Sequence, residues 1–270
     1  MIRVVQAELS KNLRQYFFSA RTFVWTIALP LGNGLYLYFL YLPFGTGLLK
    51  IDFLGAGSTV GLVGFTLVGQ LLYTFFTQMI LSGSAFDVER WQGTLEGLLL
   101  TPASRFGVLL GSAIYGSFAY LWMLGGSLLA WVFFLHVQVA VADYTALLLS
   151  IALSYLSILA LGTCMEAFFI HSRRGVTYGT MVQEPAMFLS GLIFPIQTMP
   201  SYLLPLSYFL PLTFGLVSLR STLLGGASLA SVAVPLAVLA FMTVFFLLIG
   251  GWLIGYAEKQ AKVNATLTQF

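Results

Sequence analysis

Six runs of predominantly apolar residues, near 22–42, 57–82, 107–136, 144–170, 176–199 and 230–255, leave this chain few folds to choose from. A bilayer core about 30 Å thick takes roughly 20 apolar residues per helical crossing, and each run meets that length. The other membrane-spanning solution, a closed β-barrel, reads as alternating apolar and polar residues over about ten positions, and none of the runs alternates in that way. With 59% hydrophobic and only 8% charged residues among 270, the composition lies far from that of a water-soluble domain. The expected fold is an all-α membrane protein with six transmembrane helices.

Charge sets the expected orientation, because Lys and Arg collect on the cytoplasmic side of a membrane. Six crossings return both termini to one side. Ten of the twelve basic residues then share it: Arg3, Lys11, Arg14, Arg21, Arg90, Arg105, Arg173, Arg174, Lys259 and Lys262. Lys50 and Arg220 fall elsewhere. Both termini are therefore expected in the cytoplasm, and the expected location is the cell membrane, of the bacterial inner type. The net charge of +3 reads as a topology signal and gives no sign of nucleic-acid binding. Some twenty mostly polar residues, Glu8 among them, precede the first run, which does not suit a cleavable leader. Cys164 is the one cysteine; it excludes an intramolecular disulfide, offers no metal set and is expected to pack in the core.

Residues 1–21 place Val5, Leu9, Leu13, Tyr16 and Phe17 near the helical repeat, with Arg3, Ser10, Lys11 and Arg14 between them. That pattern predicts an amphipathic helix lying in the membrane interface, or more plainly a positively charged inner leader. Small pairs four residues apart, Gly57 with Gly61, Gly107 with Gly111 and Gly251 with Gly255, permit close helix approach. The apolar stretch 201–219 is different, because Pro200, Pro205 and Pro211 interrupt it and each removes a backbone donor. Two short half-helices dipping from the outer face before the last crossing are expected there. Arg220 is expected at their outer boundary, its side chain reaching out to water.

Between the second and third runs, 86–102 carries charge. Leu95, Leu98 and Leu99 gather on one helical face and Glu89, Gln92 and Glu96 on another, which predicts a short helix along the membrane surface. Thr101 before Pro102 ends it, since a residue preceding proline is pushed out of the helical region. Such a helix is either a docking surface for a soluble partner or a solvated loop with inward-retained arginines.

Glu89-Arg-Trp-Gln-Gly-Thr-Leu-Glu-Gly-Leu-Leu-Leu-Thr-Pro102 closely resembles the cytoplasmic segment of the type-2 ABC exporter permeases. Phe188-Leu-Ser-Gly-Leu-Ile-Phe-Pro195, followed by Met199-Pro200, Leu210-Pro-Leu212 and Leu219-Arg220, resembles that family's second characteristic stretch, in the right order. The resemblance implies a transmembrane subunit, spanning 22–270 after the interface helix, that pairs with a second permease half and two cytoplasmic ATPase subunits. It assigns Glu89, Gly93, Thr94, Leu95, Glu96 and Pro102, with Arg90 among them, to a coupling helix seated on the ATPase. By the same resemblance, Ser190, Gly191, Pro195 and Pro200 mark the outer end of the fifth crossing and a re-entrant gate.

A phosphate-binding loop needs Gly-Lys followed by Ser or Thr, and no Gly-Lys pair occurs; the four lysines follow Ser10, Leu49, Glu258 and Ala261. The chain is therefore expected not to be an enzyme and to hold no cofactor of its own, ATP and Mg²⁺ belonging to the partner. Glu166 and Glu184 fall within crossings, where an ionised carboxylate needs a partner or water. Glu184, directly before Pro185, is a candidate polar site in a pocket opened by the freed carbonyl; Glu166 lies near His171, Arg173 and Arg174 and suits an ion pair. His136 and His171 form no ligand cluster. The expected function is outward export of an amphipathic substrate: a drug, lipid, glycan or peptide. The alternative is a membrane scaffold or sensor, or an intramembrane enzyme using Glu184.

Overall fold

The computed structural model describes residues 2–14, 59–82, 141–169, 175–193 and 199–263, with Gly93, Ile196 and scattered positions of 24–39 and 108–126. Among the described residues all regular structure is helical. The elements are α1 (Ile2–Asn12), α2 (Thr59–Ser82), α3 (Tyr144–Phe169), α4 (Gly175–Leu189), α5 (Leu204–Tyr208), α6 (Pro211–Leu223) and α7 (Leu229–Val263). The described positions of the first apolar run, Val24, Ala28, Gly32, Leu35, Tyr36 and Phe39, are helical too.

α2 is the centre of the bundle. It is apolar around its circumference, which is the mark of a helix enclosed by others, and Leu67, Leu72, Phe75, Phe76, Met79 and Ile80 are each 1% exposed or less. Ile158, Leu161 and Cys164 of α3, Leu212, Leu216 and Leu219 of α6, and Ala186 of α4 close around it. Phe75 stacks on Tyr155 of α3 with ring centroids 5.2 Å apart. Cys164 thus packs in the core, as its isolation in the sequence implied.

The stretches Tyr144–Met165 and Leu229–Leu253 are long and apolar enough to cross a membrane, yet only 44% and 28% of their apolar windows are buried. A core helix of a water-soluble protein would be mostly enclosed. Instead, Val234, Phe241, Leu248 and Trp252 form an exposed apolar stripe down α7, the surface expected against acyl chains. α7 is 35 residues long and continues past Leu253 to Val263, beyond the apolar part.

α3 and α7 run parallel and in register. At their first turns, Asp143 holds both: Oδ1 accepts from the Thr145 amide (2.9 Å), the Thr145 hydroxyl (2.6 Å) and the Ala146 amide (3.2 Å), while Oδ2 accepts from the Leu229 amide at 3.0 Å. The same number of residues further along each helix, Gly250 lies so close to Cys164 that a Cβ on it would sit 3.3 Å from that residue's backbone. Gly251, the sequence's choice for close packing, has nothing within 4 Å of its Cβ position. α2 runs the same way, since Phe75 meets Tyr155 and, one turn on, Met79 meets Gly162. α4 opposes α2: Gln183 lies against Tyr73 and Thr77, and Leu192 against Gly69. Alternating crossings impose this relation on the second, fourth, sixth and fifth runs.

The hydrogen bonds to Asp143 hold its carboxyl below the ordinary value of 3.8. The bond to the Thr145 hydroxyl contributes most, followed by those to the Ala146 and Leu229 amides. A depressed folded-state value means that the stabilisation is present above the unfolded value and fades as pH falls through the folded one. Asp143→Asn is expected to melt at a lower temperature than wild type at pH 7. The difference should shrink as pH drops below 3.8; a gap that does not change with pH in this range would rule out the carboxylate as its source.

Two expectations about α4 to α6 are corrected. The run 176–199 is not one helix: α4, described from Gly175, stops at Leu189. The Ser190 amide still bonds the Ala186 carbonyl at 3.0 Å. Gly191 then takes φ +82, a left-handed conformation that ends helices and suits glycine. The apolar Leu-Ile-Phe that follows hid this stop. The segment after it folds as two short helices, each with proline in its first turn, where the lost donor matters least. α6 runs on to Leu223, which places Arg220 in its last turn.

Candidate functional site

Arg220 is only 6% exposed, which overturns the expectation that its side chain reaches out to water. Its guanidinium is spread over three carbonyls: Nε donates to Phe65 at 3.2 Å, Nη1 to Gly191 at 2.7 Å and Nη2 to Leu192 at 3.1 Å. Its carbon also lies 3.4 Å from the centre of the Phe65 ring, a cation–π contact. One side chain of α6 therefore joins α2 to the turn that ends α4. The always-charged, planar guanidinium fits this task because its donors diverge in fixed directions.

Gly69 makes the approach possible. A Cβ there would stand 2.5 Å from Arg220 Nη2 and 2.7 Å from Leu192 Cδ1, so the notch of this glycine, one turn after Phe65, is the space the guanidinium occupies. Of the residues expected at the gate, Ser190 and Gly191 lie at this junction, Ser190 1% exposed with a hydroxyl that has no hydrogen-bond partner. Pro200 is exposed and its carbonyl closes a turn with the Leu203 amide at 3.0 Å. Pro195 lies outside the described residues.

Glu184 is exposed on α4, on the face that also carries Tyr178, Met181 and Phe188. It does not occupy a pocket within the bundle. The inward polar group is its neighbour Gln183, 6% exposed, whose Nε2 donates to the Thr77 carbonyl at 3.3 Å while its own carbonyl accepts from the Tyr73 hydroxyl at 3.4 Å. Successive residues of a helix point about 100° apart, so one faces in and the next out. Glu166 belongs to α3, and its side chain lies outside the described residues.

Of the expected coupling segment, only Gly93 is described; Glu89, Arg90, Thr94, Leu95, Glu96 and Pro102 lie outside. Gly93 is an exposed turn residue with φ +72, a left-handed conformation that suits glycine. Nearby in sequence, Gly111 receives α1. A Cβ at 111 would lie 2.7 Å from Glu8 Cβ and 3.2 Å from the Val5 carbonyl. The stripe that α1 buries is polar, with Glu8 at 8% and Asn12 at 7% exposure, while Val5, Leu9 and Leu13 are half-buried. The Glu8 carboxylate is neutralised within the helix by Lys11 at 2.8 Å and accepts from Asn12 Nδ2 at 3.1 Å.

A family model described as "ABC-2 type transporter" matches residues 3–224. The chain belongs to the ABC-2 type transporter family. Nodulation protein J of Rhizobium leguminosarum bv. viciae is 28% identical over 167 residues, which cover 60% of this chain and 61% of that protein. The matched region thus spans less than two thirds of that relative's length. Membership makes the chain a membrane protein of the transporter class. The matched range takes in α1, the 86–102 segment and the Arg220 junction.

Sequence reasoning missed Arg220, Phe65 and Gly69 as one unit, and missed Asp143 and Gln183. A signal for the first was present: Pro211 at a helix start places residue 220 inside that helix, and Gly69 follows Phe65 by one turn.

Proposed function

We propose that this chain is the permease half of an ATP-driven exporter that moves an amphipathic substrate (a drug, lipid, glycan or peptide) outward across the cell membrane. Six crossings place both termini in the cytoplasm. The 86–102 segment docks on the ATPase, which alone binds ATP and Mg²⁺ and hydrolyses ATP; two ATPase subunits serve two permease halves. α5 and α6 form a re-entrant hairpin on the outer side, next to the turn that ends α4. The exposed stripe of Tyr178, Met181, Glu184 and Phe188 faces the second half, because a carboxylate at this depth needs water or a partner and acyl chains supply neither.

The observation that carries this reading is the family match over 3–224, which contains both characteristic segments in order. The parallel α2, α3 and α7 with opposed α4 support it, since alternating crossings require that arrangement. The scaffold and enzyme readings gain no support from Glu184, which stands on an outer face while Gln183 makes the contacts into the bundle. The test is affinity co-purification from native membranes, with mass spectrometry of bound chains and an ATPase assay on the complex. An ATP-binding subunit with vanadate-sensitive turnover is expected. An ATPase-free protein after gentle extraction would move the reading to scaffold or enzyme.

A further inference from the structure

We propose that Arg220 is the latch of the outer gate: its guanidinium holds the 190–193 turn against α2 in the resting state and lets go of that turn when the path opens outward. The inference rests on the exporter reading of this segment.

Four observations carry it. First, the three acceptors belong to two separate elements, Phe65 on α2 and Gly191 with Leu192 on the turn, so the side chain bridges parts whose separation would open a gap. Second, the contacts that join Arg220 to the turn are two hydrogen bonds to carbonyls, so releasing the turn requires that water or other acceptors replace those two bonds to the charged group. Third, the turn leaves α4 through one glycine: Gly191 at φ +82 ends the helix, and its carbonyl and that of Leu192 are the two the guanidinium holds. Fourth, Ser190, next to this glycine, is buried with its hydroxyl unpartnered. A buried hydroxyl without a partner raises the energy of the state that contains it. Movement of the turn would give that hydroxyl water or a carbonyl, which favours release once the latch contacts loosen.

The positive charge stays within the protein in both states. Phe65 supplies both a ring face and a carbonyl on α2, so two contacts remain when the turn departs. Arg220 is therefore a positioning residue, acting on substrate passage through the turn it holds. Gly69 keeps its berth open on the α2 side.

The test is hydrogen exchange over 190–193 in the intact assembly with its co-purified ATPase in lipid nanodiscs, measured without nucleotide and with ATP plus vanadate. Exchange about tenfold faster or more in the vanadate state is expected, the scale set by losing hydrogen bonds to a charged group. Equal protection in both states would overturn the latch, because the turn would then never be released. Arg220→Lys keeps the charge but cannot span three diverging carbonyls. In the nucleotide-free assembly this variant should already exchange at the rate of the vanadate state, and wild-type protection in it would also overturn the latch. Should that variant not assemble, the wild-type comparison decides alone. An assembly without vanadate-sensitive turnover would sink the exporter reading and take the latch with it. Persistent turnover with an unmoving turn would sink the latch only.

Discussion

Gly69→Ala is expected to lower the stability of the folded chain by about 2–4 kcal/mol and to abolish transport. One methyl group has this effect because of what already fills the space. The added carbon would sit 2.5 Å from Arg220 Nη2 and 2.7 Å from Leu192 Cδ1. The tip of a free arginine would swing aside at little cost, but this one is fixed by three carbonyls and by the Phe65 ring. Moving it strands a buried charge with fewer acceptors, and leaving it in place forces α2 away from the turn after α4. The control is Gly251→Ala on α7, where nothing lies within 4 Å and alanine is the better helix former by about 1 kcal/mol. Thermal unfolding of the two variants in the same detergent measures the difference. A Gly69→Ala curve superimposed on wild type would show that the guanidinium shifts freely.

Glu96→Arg is expected to reduce transport at least about tenfold while ATP hydrolysis by the partner continues, the size of effect seen when one charge of a docked pair is reversed. Residue 96 lies three positions after Gly93, which takes a left-handed φ of +72. If the docking helix lies on the Glu96 side of that glycine, Glu89→Arg should have a smaller effect. Transport and ATPase rates measured together in proteoliposomes check both variants. Normal transport by the Glu96 variant would remove the docking role from this segment.

The long elements were readable in one dimension because burial against lipid or against other helices selects the same residues. The apolar runs 57–82, 144–170 and 230–255 correspond closely to α2, α3 and α7. The run 176–199 misled for the same reason: Leu192 and Ile193 are buried in a turn as deeply as they would be in a helix, so hydropathy does not register the stop at Leu189. Gly191 was the available signal, but glycine is frequent within membrane helices, so its presence alone does not mark an end. Arg220 was misplaced because a lone cation near prolines reads as a boundary marker. The carbonyls that satisfy it lie 28, 29 and 155 residues away in sequence, and no local pattern joins them. Asp143 was half legible. An Asp before an apolar run is an ordinary helix start, whereas its second oxygen serves a helix 86 residues later. Glu184 shows the opposite limit: its neighbour Gln183 is the inward-facing group, and only the rotation of α4 against α2 distinguishes them.

The carboxylate that Asp143 divides between two helix starts also ties the order of assembly to the order of synthesis. When α3 enters the bilayer, one oxygen of Asp143 finds its amides at once; the other waits for Leu229, which the ribosome makes much later. Until then the face of α3 at Ala146 and Cys164 has no α7 against it. A chain interrupted before Leu229 therefore presents a half-used carboxylate and an uncovered helix face. α7 closes that face of α3, with Val232, Leu236 and Leu239 against Ala146 and Gly250 against Cys164.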